Sequence, residues 1–468
     1  MRRAIQVIGM LVTACAATAA HAEEVAAPST DDHSASEVIS PAPWKLRPAW
    51  KLRPSSQHIS SRSLLAGTSP ATDHTNDTPL GLVGKALERS DALKAESLRV
   101  EAREHAAQAE HARLLPKLSL ETGLEKSNGR YAGAHASASV GVTAEWTIYS
   151  SGANLAAINA AHLRAESAAF GYLAAERRAA LEVIETQMRL ELARRQYSHI
   201  AGTLARLRDI RTATQTLEKS GFASRTDLAQ LDAEIESVRA ELQEAKSQRE
   251  QEVIAYRDIV GTKPPAKLPR LNGARLLPQD VEAMMARALN GNYRVKAAQS
   301  AALAADAERD AVRGQYLPRV SLYGSAIADD AYGEDWTVGM KLTVPLVDYA
   351  AMPRYREANA NAYASYFERA DIERRVRREL AGEWARHRAL LRQQHSYSRQ
   401  AKALRRSTKG LRKQLEAGLR PVDDVLREEI ELASALIAAD RSRIAAETAA
   451  WRIAVHFPDL TLADFSIQ

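Results

Sequence analysis

Two very long stretches of predicted helix constrain the fold of this 468-residue chain more than any other feature. Residues 154–217 contain no proline and only two glycines. At ~1.5 Å per residue, a helix of this extent is on the order of 95 Å long. A second stretch begins at Pro353 and continues to Ala417. Together with an aromatic content of only 5%, this predicts long helices packed through narrow apolar seams rather than around a thick globular core.

Each long stretch is followed by a glycine break, at Gly221 or Gly418, and by a returning helix. Along these segments apolar residues recur at alternating steps of three and four, which is typical of knobs-into-holes packing between neighbouring helices. The predicted seam residues are Tyr197, Ile200, Leu204, Leu207, Leu228, Leu231, Ile235, Val238, Leu242, Ala245, Tyr397, Ala401, Leu404, Thr408, Leu411, Leu415, Leu426, Ile430, Ala433, Ile437 and Ile444. Because the seams are narrow, most of each helix surface stays polar and suits the wall of a water-filled tube.

The chain is predicted to be a duplication of one unit. Ala86 precedes Pro116 by 30 positions, and Ala288 precedes Pro318 by the same distance. Both intervals are predicted helical, and each proline ends its helix because it lacks an amide hydrogen and disfavours helix at the preceding residue. The predicted divisions are a first repeat at 79–262, a linker at 263–279, a second repeat at 280–460 and a C-terminal tail at 461–468.

A pair of strands is predicted after each proline, because apolar and polar residues alternate there with a period of two. A loop at 127–133 divides the first pair, and an acidic loop at 329–335 divides the second. The apolar positions are Leu118, Leu120, Leu124, Val140, Val142, Ala144, Trp146, Ile148, Val320, Leu322, Val338, Met340, Leu342 and Val344. These apolar faces are consistent with contact with lipid, and an ordinary soluble hairpin is the alternative.

The N-terminus predicts export from the cytoplasm. Arg2 and Arg3 precede an apolar run, and a small-residue cleavage site at Ala22 makes 1–22 a predicted signal peptide. Processing as a lipoprotein, with Cys15 acylated, is the alternative. Residues 23–78 are rich in Ser, Thr, Pro, Asp and His and predict an extended N-terminal tether, or alternatively a strap along the outside of an assembly. Cys15 is the only cysteine, so the exported chain is predicted to have no disulfide.

Composition and motifs argue against several classes of function. The net charge of +6 comes from basic residues interleaved with acidic ones, which favours solvated helix faces over a nucleic-acid-binding surface. The chain has no phosphate-binding loop, zinc-protease helix motif, cysteine pair or nucleophile elbow. We therefore expect no enzyme activity, no catalytic residues, no cofactor and no metal. Beyond the signal there is no apolar run long enough for a spanning helix.

Four strands cannot close a membrane barrel alone, because an open sheet edge leaves backbone groups without hydrogen-bond partners in lipid. The order of helix, Leu-Pro, two strands, very long helix, glycine turn and helix, present twice, resembles the TolC-like outer-membrane efflux family. The resemblance implies a mainly α fold with membrane β: a long α-helical coiled-coil barrel in the periplasm, and four strands per chain contributing to a trimeric 12-stranded transmembrane β-barrel. It covers residues 79–460.

The resemblance also implies function, location and partners. The protein would be a homotrimeric exit duct in the outer-membrane lipid that extends into the periplasm. It would work with a periplasmic adaptor (membrane fusion) protein and an inner-membrane transporter of the RND, ABC or MFS type. Small-molecule efflux is the expected role, and type I protein secretion is the alternative. A soluble periplasmic coiled-coil adaptor or scaffold is the alternative from another class.

The two glycine turns resemble the periplasmic tips of that family. The resemblance implies that adaptor docking involves the turn residues Gly221, Phe222, Ala223, Ser224, Gly418, Leu419 and Arg420. It implies a gate in which Arg420 is the arginine of a lock, Asp227 is its acidic partner and Asp424 rings the constriction. Arg427 stands where a second acidic ring is found in the family, so the resting gate is expected to be weaker. Independently, Ser224 or Thr226 is expected to cap the returning helix.

Overall fold

The computed structural model describes residues 79–129, 133–329 and 333–461, and the side chains of 81–124, 138–329 and 333–461. The predicted signal peptide with Cys15, the tether at 23–78 and residues 462–468 of the predicted tail lie outside the described residues. The described chain falls into two compact units. The first comprises Glu101–Glu166 and Ser300–Tyr366; the second comprises residues 79–100, 167–299 and 367–461.

The first half of the chain runs through four helices and two strands. Helices α1 (Pro79–Arg89) and α2 (Asp91–His111) precede strands β1 (Lys117–Gly129) and β2 (Gly133–Tyr149). The long helix α3 (Ala153–Lys219) and the returning helix α4 (Arg225–Val260) follow. A short 3-10 helix at Ala112–Leu114 separates α2 from β1.

The second half has the same order of elements. After a 3-10 helix at Gly273–Leu276 come α5 (Val281–Gly291), α6 (Tyr293–Gly314), β3 (Arg319–Asp329) and β4 (Gly333–Thr343). The long helix α7 (Ala351–Glu416) and the returning helix α8 (Val422–Ala454) complete it. α3 has 67 residues and α7 has 66, so the predicted long helices and the internal duplication are both present in the fold. No helix of the described segments combines the length and the apolar character needed to cross a membrane.

The four strands form one antiparallel sheet in the order β1-β2-β3-β4. The two predicted hairpins are therefore joined edge to edge by the pairing of β2 with β3, in which Trp146 lies opposite Leu322. A register shift between Thr147 and Tyr149 interrupts that ladder near the end of β2. Within the part of the chain that the structure describes, this order leaves β1 and β4 with one neighbouring strand each.

The strands are longer than the sequence predicted. β1 continues to Gly129 and β2 starts at Gly133, so strand replaces most of the loop expected at 127–133. In the second half β3 ends at Asp329 and β4 starts at Gly333, which likewise shortens the loop expected at 329–335. Cross-strand pairing holds Gly, Asn and Ser in extended conformation despite their low intrinsic β-propensity.

The helix before each strand pair is divided in two, which the sequence analysis did not predict. The first break lies at Ser90, whose Oγ accepts a hydrogen bond from the Leu93 amide at 3.4 Å. The second lies at Asn292, whose Oδ1 accepts from the amides of Arg294 at 3.0 Å and Val295 at 3.2 Å. Ser and Asn are both strong N-cap residues, because their side chains satisfy amides that the first turn leaves free.

The largest fully buried side chains of the second unit belong to Trp451, Tyr256 and Phe457. They lie in one apolar cluster with residues of α1, α3 and α5, including Leu87, Leu173 and Met284. Two glycines permit close packing near this cluster: a Cβ on Gly273 would lie 2.9 Å from the Trp451 ring, and a Cβ on Gly291 would overlap the Pro458 ring. The core thus requires glycine at the points where the backbone meets a bulky ring.

We predict that Gly291→Ala destabilises the fold, because the added methyl group meets the rigid Pro458 ring. Overpacking of this kind costs about 1–3 kcal/mol. Gly382→Ala is the matched control, since Gly382 lies within α7 and has no atom within 4 Å of an added Cβ. There alanine should be stabilising by about 0.5–1 kcal/mol. Chemical denaturation of both variants checks this, and equal effects at the two sites would contradict it.

A buried histidine should make stability depend on pH. Burial lowers the pKa of His456 to about 4, with a further contribution from the charge of Arg294, while Glu379 opposes the shift. Below pH 6.5 the unfolded chain gains a proton that the folded chain does not, so stability falls as pH drops from 6.5 to 4, by about 3 kcal/mol. We predict that His456→Gln lowers the free energy of unfolding at pH 7, and that this loss is smaller at pH 4 by about 3 kcal/mol, because the wild-type protein has by then lost the contribution of the neutral histidine. Denaturant midpoints at both pH values measure it, and a pH-independent effect would refute it.

Candidate functional site

One face of the four-stranded sheet is apolar and exposed. On β1 the exposed fractions are 61% for Leu118, 70% for Leu120 and 90% for Leu124. On β4 they are 64% for Trp336 and 70% for Met340. Exposed apolar patches on this scale mark a surface that contacts another protein or a membrane.

The register puts these apolar residues on one continuous face. Directly opposed residues of antiparallel strands point to the same side of the sheet. Leu120 lies opposite Val142, Val142 opposite Ala326 and Ala326 opposite Trp336, so a single row crosses all four strands. The alternate positions are mostly small or polar, as in the row Thr147–Ser321–Lys341. The alternation predicted for each separate strand therefore combines into one two-sided sheet.

The first glycine turn joins α3 to α4 within the second unit. Gly221 has a φ of 78°, and this left-handed conformation suits a residue without a side chain. The Gly221 amide donates to the Glu218 carbonyl at 3.0 Å and the Phe222 amide to the Leu217 carbonyl at 2.8 Å, which satisfies carbonyls at the end of α3. At the start of α4, Ser224 and Asp227 form a reciprocal capping box. Of the two predicted caps, Ser224 is therefore the one in place.

The second turn, between α7 and α8, ends its first helix in the same way but begins the next one differently. Gly418 has a φ of 70°, and the Leu419 amide donates to the Gln414 carbonyl at 2.9 Å. The N-cap of α8 is Pro421, which makes no side-chain capping bond. Proline has neither a hydroxyl group nor an amide hydrogen, so Asp424 cannot form the capping box that Asp227 forms. Instead its Oδ2 accepts a hydrogen bond from Arg420 Nη1 at 3.1 Å.

The two turns lie against each other. A Cβ placed on Gly418 would lie 3.6 Å from the Phe222 ring. Gln230 Nε2 donates to Asp423 Oδ1 at 2.6 Å and so connects the second turn of α4 to the first turn of α8. Phe222 and Leu419 are 73% and 76% exposed, which gives the paired turns an apolar tip.

The gate residues implied by the family resemblance are only partly together in one chain. Arg420 pairs with Asp424, while Asp227 is engaged with Ser224 at the start of its own helix. Arg427 is exposed on α8. The side chains of Arg420 and Asp424 are 51% and 36% exposed, and such a pair by itself contributes little to stability. The gate and docking roles of these residues stay predictions.

Below the turns, seam residues of α3, α4, α7 and α8 form one buried cluster. Its members are Leu204, Leu207, Ile210, Leu231, Ile235, Val238, Leu415, Val422, Val425 and Leu426. Most of the α3 and α4 seam was predicted. On α8 the seam differs from the prediction, since Val422, Val425 and Leu432 are buried while Ile430 and Ile437 are only partly buried.

Charged groups between these helices were missed by the sequence analysis. Glu429 is 1% exposed; its Oε2 lies 2.7 Å from Arg206 Nε, and its Oε1 lies 2.7 Å from Arg412 Nη2. Nearer the turns, Arg211 donates two hydrogen bonds to Asp232, at 2.5 and 3.1 Å, and these lower the pKa of the Asp232 carboxyl. The sequence did contain a signal for this buried carboxylate. Glu429 stands three residues after the predicted seam residue Leu426, and that step places it in the same seam of α8.

Within the described residues there is no group of three His, Cys, Asp or Glu side chains arranged to hold a metal ion. Two surface features stand out in the described residues, an exposed apolar sheet face and a pair of helix turns with an apolar tip.

Comparison with known proteins identifies a family model and several solved structures that this chain resembles. Residues 82–262 match the family model of outer membrane efflux proteins. No curated protein sequence matches the chain significantly. Among solved structures, CusC superposes with a TM-score of 0.74 at 18% identity, covering 89% of this chain and 99% of CusC. The outer membrane protein VceC of Vibrio cholerae gives 0.73 at 17%, covering 81% and 96%.

A third structure extends the match along the chain. The CmeC outer membrane channel of Campylobacter jejuni superposes with a TM-score of 0.72 at 14% identity, covering 94% of this chain and 95% of CmeC. The resemblance drawn from the sequence is thereby confirmed: the first half of the chain matches the outer membrane efflux protein family, and most of the chain has the fold of solved outer-membrane channels.

Proposed function

We propose that this protein is the outer-membrane channel of a tripartite export system, a passive conduit for small toxic molecules rather than an enzyme. The observation that supports this best is the continuous exposed apolar face across all four strands, where Leu120, Trp336 and Met340 are each at least 64% exposed. A soluble adaptor or scaffold would expose such a face to water, which is unfavourable. Lipid covers it without a further layer of protein.

The open edges of the sheet support assembly of several copies. Among the described residues β1 and β4 each have one neighbouring strand, and unpaired backbone groups are costly in lipid. Joining β4 of one copy to β1 of the next removes both edges. Three copies close a barrel of twelve strands with the apolar face outward, which lies within the known range of membrane barrels. The small and polar face then lines a water-filled lumen.

In this proposal the long helices of the same copies continue the duct into the periplasm, and the paired turns form its entrance. The exposed side chains of Phe222 and Leu419 support docking of a periplasmic adaptor there, since apolar groups at a tip gain from being covered. An inner-membrane transporter supplies the energy. Among neighbours of the same fold, CmeC and VceC are described as outer-membrane proteins, which agrees with this location.

We predict that Leu120→Arg prevents stable insertion into the outer membrane. An arginine on a lipid-facing strand costs about 2–4 kcal/mol near the bilayer midplane. The matched control is Glu121→Arg, because the adjacent residue lies on the opposite face of β1 and would face the lumen. Sucrose-gradient fractionation and detergent-resistant trimer bands measure the outcome. The proposal fails if wild-type protein stays monomeric and soluble without detergent, or if both variants insert equally.

We predict that Arg420→Ala raises single-channel conductance in planar bilayers, because it removes the cation that holds Asp424 at the entrance. The control is Arg225→Ala in the other turn, where the arginine side chain is 95% exposed and lies 3.7 Å from the Glu218 carboxylate. Unchanged conductance in Arg420→Ala would remove this residue from the gate, and an equal rise in the control would point to a general charge effect instead.

A further inference from the structure

The second unit contains a cavity of about 300 Å³ that the channel role does not use. It lies between α3, α7, the start of α6 and the end of α8. Its volume is at the lower end of the range for small-molecule sites. Its lining is unusual because it contains four arginines, namely Arg177, Arg178, Arg294 and Arg452.

Arg177 is the most deeply buried of these, with only 4% of its surface exposed. One arm of its guanidinium group is engaged, because Nη1 donates to the Leu460 carbonyl at 2.6 Å. Its Nε has no hydrogen-bond partner among the described residues. A buried donor left without an acceptor is costly, so an acceptor brought by a ligand would be favoured at this point.

The charges in the lining are not balanced. Arg294 lies 2.7 Å from Glu379, and Arg452 contacts both Glu185 at 2.8 Å and Glu383 at 3.3 Å. In the described part of the chain, neither Arg177 nor Arg178 has a carboxylate within ion-pair distance. The four arginines of the lining therefore exceed these three carboxylates by one positive charge, and the Asp459 carboxylate, which is farther away, also interacts with Arg177.

The start of α6 adds to this field. Asn292, Tyr293 and Arg294 line the cavity, and they form the N-terminal end of a 22-residue helix. The positive end of the helix dipole makes this position attractive to anions. Asn292 is held in place because its Oδ1 accepts from two amides of α6 while its Nδ2 bonds to Nδ1 of the buried His456 at 2.8 Å.

We propose that this cavity binds a small oxyanion, a carboxylate or a phosphate, held by Arg177 and Arg178 against the N-terminus of α6. The flat guanidinium fork matches the spacing of oxygens in both groups. Binding ties α3 to α6 and α8, and so stabilises the second unit. This inference is independent of the proposed channel role, and its test does not measure transport.

The test is isothermal titration calorimetry of the full-length protein purified in detergent, with inorganic phosphate in one arm and succinate in the other, at matched ionic strength. We expect at least one anion to bind with a Kd on the order of 1 mM or tighter. The thermal midpoint should rise with the same anion. Absence of binding heat and of any thermal shift at anion concentrations up to about 20 mM would overturn the proposal.

Two substitutions locate the site. Arg178→Gln removes an exposed guanidinium group of the lining and should weaken binding about tenfold while the protein still folds. Arg208→Gln is the matched control, since Arg208 is also exposed on α3 but lies outside the cavity. Equal weakening in both variants, or none in Arg178→Gln, would show that the anion is bound elsewhere or only by general screening.

Discussion

The rest of this structure depends on one constraint, which is that the four-stranded sheet has open edges and an exposed apolar face. In the described residues the strand order leaves one edge of β1 and one edge of β4 open, and leucine, tryptophan and methionine side chains are exposed on one face. Water can hydrogen-bond to the open strand edges, but exposing the apolar face to water is unfavourable. Lipid covers the apolar face, but it leaves the backbone groups at the edges without hydrogen-bond partners. Pairing with further copies inside a membrane meets both demands at once. The small and polar opposite face fits the same arrangement.

Much of this fold was predictable because its strongest signals are local. The two Leu-Pro steps end helices through the stereochemistry of proline, and period-two alternation assigned the strand faces correctly except at the end of β2, where the register shift places Tyr149 rather than Ile148 opposite Val320. The loop lengths were wrong because cross-strand pairing extended β1 through Ser127, Asn128 and Gly129, an effect that depends on the partner strand. The breaks at Ser90 and Asn292 were missed although both residues are common N-caps, since continuous alanine-rich helix obscured them.

The candidate site was less predictable, because a sequence pattern does not show which partner a charged group will choose. Asp227 and Asp424 each stand six residues after a turn glycine, and the resemblance gave both a place at the gate. In the fold, the residue three positions earlier separates their roles: Ser224 captures Asp227, whereas Pro421 offers Asp424 nothing to bind. Duplicated halves of one chain thus present two turns of equal shape and unequal chemistry.

The buried carboxylate of Glu429 has a consequence for how this sequence can change over time. It lies 2.7 Å from both Arg206 of α3 and Arg412 of α7, so two cations share one counter-ion. Loss of the glutamate alone would leave two partly buried cations without their shared counter-ion, whereas loss of one arginine would still leave a one-to-one ion pair. Substitution of the glutamate is therefore tolerated only when the arginines change with it, whereas a single arginine can be replaced on its own, so the carboxylate should be the slowest of the three positions to change in evolution.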